Sequence, residues 1–321
     1  MRIVSLLPSA TEIVGLVGAG GMLVGRSHEC DFPVEVGALP ILTGPRTPVG
    51  ASAAEIDAEV SRRLREGQSL YTLDVELLHR LQPDLILTQD LCRVCSIDLE
   101  TVRAVAAEMD PRPRVLSLNP LGLEDVIDDV LRVGEAVGRV EAAGEAVVRL
   151  RERLWRAADY VNPYVEGPRV LFLEWTDPMF VGGHWTPQLI ERAGGRHPLN
   201  PTRPDPDAGA AAGPQAWASR AGPSVRVEAG AVVAMQPEAV IVCPCGVGLE
   251  GTRKMVGTLE RQEWWGELPA VKLGKVALVD GNQMFNRPGP RLADAFEWLV
   301  GWLNERWELV PAGFPWEARS A

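Results

Sequence analysis

The sequence predicts an α/β protein: two Rossmann-like lobes with parallel-rich sheets, joined by one long connecting helix, with a ligand crevice between the lobes. Three observations carry this. Short apolar runs at residues 3–7, 84–88, 114–118, 169–174, 239–243 and 276–279 alternate with segments of helical periodicity, the pattern of parallel strands covered by helices on both faces. The alternation occurs twice, on either side of a long helical stretch. All five cysteines lie just beyond the end of a predicted strand, where open α/β sheets place their ligand sites.

Residues 3–7 read as the first strand. Ser9 with Glu12 three positions later has the form of a capping box, opening a helix that runs to about residue 18. A short strand near 22–24 leads into the loop His28-Glu29-Cys30-Asp31, and 43–48 form a further loop. Helices follow over 53–65 and 75–81, then the strand at 84–88, a helix near 99–108 and the strand at 114–118. From 124 to 160, Val126, Ile127, Val130, Leu131, Val133 and Val137 recur at helical spacing with charges between them, and Pro163 ends the run. A single helix of that length would measure about 50 Å at ~1.5 Å per residue and act as a rigid connector. A break near Gly138 or Gly144 would make it two helices instead. The second lobe continues with a strand at 169–174, a helix at 186–193, a strand at 239–243, a helix at 252–259, a strand at 276–279 and a last helix at 290–305. The lobes are thus expected at 1–121 and 161–321, with the connector at 122–160 and a Pro/Gly-rich insertion at about 198–224.

At 321 residues the chain can bury two cores, and 46% hydrophobic residues is ordinary for a globular protein. A net charge of −11 argues against nucleic acid or an anionic membrane as partner. No apolar stretch is long enough to span a bilayer. The chain enters a strand almost at Met1 with no charged leader, and an odd number of cysteines suits a reducing compartment. Sequence alone therefore predicts a cytoplasmic protein, a monomer or weak dimer, with a small-molecule ligand.

The chemistry is expected where the strand-end loops converge. Cys92 and Cys95 have the spacing of metal-binding or redox pairs, Cys243 and Cys245 form a second, tighter pair, and Cys30 and His28 stand on a third loop. Gathered together they would suit zinc, copper(I), an iron–sulfur cluster or a soft cobalt centre. Apart, they are reduced thiols that pack as small hydrophobes. His184 is either a ligand to a metal or a hydrogen-bonding loop residue. Glu29 and Asp31 can act as acid/base groups or as caps of neighbouring amides. Trp175, Phe180 and Trp185 form either a stacking wall for a planar ligand or ordinary core, whereas Trp264, Trp265, Trp298 and Trp302 read as core. Arg287 either binds a polar group of the ligand or sits on the surface. No nucleotide loop, Ser-His-Asp set or glycosidase carboxylate pair is assignable, which favours binding over catalysis.

Several segments resemble the class III substrate-binding proteins of ABC importers, those for cobalamin, haem and ferric siderophores. In the first half they are Val4-Ser-Leu-Leu-Pro-Ser-Ala-Thr-Glu12, Gly25-Arg-Ser-His-Glu-Cys-Asp-Phe-Pro33 and Leu81-Gln-Pro-Asp-Leu-Ile-Leu87. In the second they are Gln188-Leu-Ile-Glu-Arg-Ala-Gly-Gly195, Gln236-Pro-Glu-Ala-Val-Ile-Val242 and Phe285-Asn-Arg-Pro-Gly-Pro-Arg291. The resemblance implies two Rossmann-like lobes on one long helix, gripping a corrinoid such as cobalamin, or a related tetrapyrrole, without turnover. It implies ligand contacts from Glu29, Gln89 and the segment from Gln283 through Phe285 to Arg287, with Trp175, Phe180 and Trp185 from the second lobe; Pro8, Ser9 and His184 are further ligand-binding candidates. Glu29 and Gln89 stand where the family places aromatics, and the cysteines are additional to the pattern. The lack of a leader argues against an ABC permease as partner. The alternative is a thiol-dependent metalloprotein that holds zinc or an iron–sulfur cluster on the same scaffold.

Overall fold

Ile3, Val4 and Ser5 are all completely buried, as an inner strand of a sheet covered on both faces requires. A computed structural model describes residues 1–46, 51–90, 97–204 and 219–319. They fall into two units, Met1–Pro120 with Asp125–Arg149, and Leu121–Glu124 with Leu150–Ala321. In the first, β1 (Ile3–Ser5), α1 (Pro8–Leu16) and β2 (Leu23–Arg26) are followed by β3 (Thr43–Pro45), α2 (Ala53–Arg65) and β4 (Tyr71–Leu73). Then come α3 (Val75–Leu81), β5 (Leu85–Thr88), α4 (Leu99–Ala107) and β6 (Arg114–Ser117), followed by α5 (Leu123–Ala136) and α6 (Val140–Ala158), whose residues are shared between the two units. The sheet order is β2-β1-β5-β6, every pair parallel, with β3 and β4 forming a separate antiparallel ribbon. Strand order reverses between β1 and β5, so the loops after these two strands border the switch point.

The second unit contains β7 (Val170–Thr176), β8 (Met179–Val181), α7 (Trp185–Arg192), β9 (Arg203–Pro204), β10 (Ser219–Arg220), β11 (Val225–Arg226) and α8 (Ala229–Met235). It continues through β12 (Ala239–Val242), α9 (Leu249–Leu259), α10 (Pro269–Lys272), β13 (Val276–Val279), α11 (Leu292–Leu303) and β14 (Trp316–Arg319). Its six-stranded sheet runs β11-β8-β7-β12-β13-β14, parallel at β7–β12–β13 and antiparallel at both edges. Here the order reverses between β7 and β12. Both units enter a buried strand through the same device: Gln82 before Pro83 and Gln236 before Pro237 cap α3 and α8 in the left-handed region, at φ 41° and 52°. The two halves are therefore loose copies of one architecture in backbone detail as well as in strand order.

Two expectations need correction. The connector is two helices, because Gly138 (φ 69°) turns the chain after α5: its N–H bonds the Glu135 carbonyl, and Arg139 N–H reaches back to Gly134. This is a Schellman ending. A Cβ at Gly134 would stand 2.3 Å from that of Ala143, so α5 and α6 pack against each other rather than continuing in line. The break falls at the first of the two glycines considered. Nor is Ser9 an N-cap. Pro8 takes the first helical position and Leu7 the cap, with no side-chain bond, since proline there has no N–H to satisfy and its φ is already helical.

The cores are as the apolar runs predict, with Trp265, Trp298 and Trp302 almost wholly buried. His197, 2% exposed, is also interior. Its Nδ1 faces the Asn200 carbonyl at 3.2 Å, while Nε2 is buried without a partner. Burial brings its pKa down to about 4. A folded value below the unfolded one near 6.5 contributes stability that is complete above pH 6.5 and is lost as pH falls toward 4, roughly 3 kcal/mol in all. We expect urea denaturation midpoints to drop between pH 7 and 4.5 in the wild type. They should drop markedly less in His197→Gln, and parallel pH curves would refute the assignment.

Candidate functional site

At the mouth of the first sheet, two hydroxyl clusters hold the loop after β2, one against α1 and one against β3. Thr11 Oγ1 lies 2.8 Å from Ser5 Oγ and 3.0 Å from Cys30 Sγ, and Cys30 is completely buried. Thr43 Oγ1 bonds Ser27 Oγ at 3.0 Å, receives the His28 amide at 3.1 Å and meets His28 Nδ1 at 2.8 Å. The His28 ring also lies 5.7 Å from that of Tyr71. Burial first, and the nearby Arg26 charge second, lower the His28 pKa, so the ring is neutral at neutral pH. Glu29 is half-buried beside it, 4.0 Å from Nε2. Arg26 is directed at the carbonyls of Ser27, Cys30 and Gly37. After β5, Gln89 is 4% exposed, and the Asp90 amide donates to Asn119 Oδ1 at 2.6 Å.

At the mouth of the second sheet the thiol pair borders the switch point. Cys245 N–H donates to the Glu174 carbonyl, and Cys243 N–H to that of Leu173. Asn286 Nδ2 bonds the carbonyls of Gly281 at 2.8 Å and Cys243 at 3.2 Å, tying this loop to the one after β13. Cys243 is completely buried, and burial, followed by the adjacent Cys245, Glu174 and Asp280, pushes its thiol well above the usual range. Glu174 is raised by burial as well, against the opposing pull of the Ser224 hydroxyl (2.9 Å) and the Gly183 amide. Trp175 and Phe180 face each other across the β7–β8 hairpin, both half-buried. They therefore lie on one face as a cross-strand aromatic pair.

The structure separates the proposed site residues into groups. Trp175, Phe180, His184, Glu29 and Gln283 keep exposed surface at strand mouths, with Gln283 accepting from Arg291 at 2.9 Å. Phe285 belongs to the core instead, at 0% exposure and 5.2 Å from Phe172. Trp185 is 8% exposed, its indole N–H donating to the Phe285 carbonyl at 2.7 Å. Pro8 and Ser9 are enclosed in the first turn of α1, and Arg287 is 6% exposed rather than on the surface. Their apolar or helix-terminal sequence context did not distinguish lining the mouth from supporting it. Cys92 and Cys95 lie outside the described residues. Among the described residues, no group of three or more His, Cys, Asp or Glu could hold a metal ion. Cys30 faces Thr11 and Cys243 is a buried thiol held well above its usual pKa, and the zinc or iron–sulfur alternative finds no support among the described residues. Sequence reasoning missed Thr11, Thr43, Tyr71, Ser224 and Asn286. Thr11 and Asn286 had a signal, since they lie inside the Val4–Glu12 and Phe285–Arg291 segments.

With this geometry in view, comparison with known proteins is informative. The family model described as periplasmic binding protein matches residues 3–282. The chain is 24% identical over 303 residues to YvrC of Bacillus subtilis, an uncharacterized ABC transporter substrate-binding lipoprotein, covering 93% of this chain and 78% of that protein. Among solved structures, it resembles a periplasmic haem-binding protein from Pseudomonas aeruginosa with a TM-score of 0.67 at 20% identity, over 95% of this chain and 92% of that one. It likewise resembles the periplasmic vitamin B12 binding protein BtuF of Vibrio cholerae, with a TM-score of 0.63 at 19% identity, over 96% and 98%. The chain belongs to the periplasmic binding protein family.

These relatives overturn the cytoplasmic expectation: they are periplasmic proteins and a lipoprotein, which points to an extracytoplasmic location. An early first strand shows where the fold begins, and it carries no information on the compartment. The argument against an ABC permease rested on that location and falls with it. Among the described residues, no helix is long and apolar enough to cross a membrane.

Proposed function

We propose that this protein binds a corrinoid without turnover, as the ligand-binding partner of an ABC permease, through the strand-mouth residues around Trp175 and Phe180. The family and the two neighbours that bind haem and vitamin B12 support a metal-bearing tetrapyrrole as the ligand class. The charge of the mouths favours the corrinoid within that class. Among the described residues, Glu29, Asp31, Asp90, Glu174 and Asp280 are the acids there, while Arg26 is occupied by three backbone carbonyls, Arg291 donates to Gln283 and Arg287 is buried. A haem would bring two carboxylates to such a surface, whereas a corrinoid brings neutral amides that acids can accept from. Trp175 and Phe180 supply the flat apolar surface a macrocycle packs on.

Titration of the protein with cobinamide and with haem, followed by tryptophan fluorescence, tests this reading. Cobinamide should bind more tightly than haem, and Phe180→Ala should weaken it about tenfold, ~1.4 kcal/mol. Tighter haem binding would overturn the choice of corrinoid; no response to either would overturn the ligand class.

A further inference from the structure

The turn leading into α7 holds a histidine where the backbone calls for glycine. Thr186 N–H donates to the Gly183 carbonyl at 3.0 Å, closing a four-residue turn. Its second residue, His184, has φ 53° and ψ −116°. Those are the angles of the first central position of a type II′ turn, which glycine dominates because a Cβ is strained there. The conformation is held from outside. His184 N–H donates to the Gly222 carbonyl at 2.8 Å, and a Cβ on Gly183 would stand 2.3 Å from the Ser224 nitrogen. A turn needed only for its shape would carry a third glycine after Gly182 and Gly183. Strain of this kind persists where the side chain has a use.

The imidazole is prepared for one use in particular. It stacks on Trp185 at 5.7 Å and 26°, and that indole is anchored on the Phe285 carbonyl. Glu174, near the end of β7, is engaged by Ser224 and by the Gly183 amide. Burial alone moves the His184 pKa, and downward, so the ring is neutral at neutral pH with one nitrogen's electron pair available. No hydrogen bond to either ring nitrogen comes from the described residues. A neutral, oriented imidazole with a half-exposed face is what a metal ligand requires.

Resting on the reading of the ligand as a metal-bearing tetrapyrrole, we propose that His184 is an axial ligand to its metal. The step is a ligand exchange: the unprotonated ring nitrogen donates its electron pair to the metal, and a metal-bound water departs as water. No proton is released and the oxidation state of the metal is unchanged.

Aquocobinamide titrated into the protein at pH 7.5, followed by visible absorption and by tryptophan fluorescence, tests the assignment. Binding to the wild type should quench fluorescence and shift the visible bands as water is replaced by nitrogen. His184→Gly and His184→Asn should bind at least about tenfold more weakly and lose the band shift, and free imidazole should restore the shift in His184→Gly. Because glycine relieves the turn, His184→Gly should melt above the wild type, separating lost ligation from lost folding. Quenching without a band shift in the wild type, or a shift that survives both substitutions, would overturn the ligation while leaving the ligand class intact. No quenching by cobinamide or haem would overturn both.

Discussion

Trp298→Ala should destabilise the second unit by about 4 kcal/mol, and Trp298→Phe by only about 1 kcal/mol. Trp298 is completely buried on α11, stacked on Trp302 at 5.4 Å and on Phe314 at 5.2 Å, with Phe285 and Trp316 edge-on at 5.9 and 5.4 Å. Truncation to alanine leaves a cavity among rings too large to collapse into it. Its indole N–H, however, is buried with no hydrogen-bond partner. Phenylalanine removes that unsatisfied donor along with part of the ring, and the two effects offset. Urea denaturation followed by near-ultraviolet circular dichroism measures both. Equal losses for Phe and Ala would mean that the N–H is satisfied after all.

Gly281→Ala is expected to cost about 3 kcal/mol and to loosen the thiol loop. A Cβ there would stand 1.7 Å from the Pro244 carbonyl oxygen. Relief requires the loops after β12 and β13 to part. That in turn breaks the pair of backbone bonds from Gly246 N–H to the Gly281 carbonyl and from Gly281 N–H to the Val247 carbonyl. The Asn286 clamp on the Cys243 and Gly281 carbonyls goes with them. Cys243 should then lose its protection. Iodoacetamide labelling read by mass spectrometry should modify Cys245 but not Cys243 in the wild type, and both in the variant. A protected Cys243 in Gly281→Ala would show that the two loops are not coupled.

How much of this was legible from the chain alone depends on the range of the interaction involved. The strands at 84–88, 239–243 and 276–279 announce themselves because an inner parallel strand must be apolar on both faces; all three are found, and their strand residues are wholly buried. Gly138 carried a real signal too, but a helical period continues through a glycine, and only the bonds to Gly134 and Glu135 show that the chain reverses there. Position relative to a strand end marked His28, Glu29, Trp175, Phe180 and the thiols as mouth residues. It gave no means of separating Phe285, whose ring closes the core, from its neighbour Gln283, which keeps exposed surface.

Sequence by itself determined the α/β class, the two-fold repetition of the architecture, the family and the loops where chemistry could reside, since apolar period, turn residues and motif order are local properties written along the chain. Tertiary structure alone decided which side chains those loops turn outward. Cys30 faces Thr11 across 19 positions, Asn286 clamps Cys243 across 43, and His184 is held in a glycine conformation by Gly222 across 38. Each depends on atoms brought together by folding, whose distances have no counterpart in the spacing of the letters.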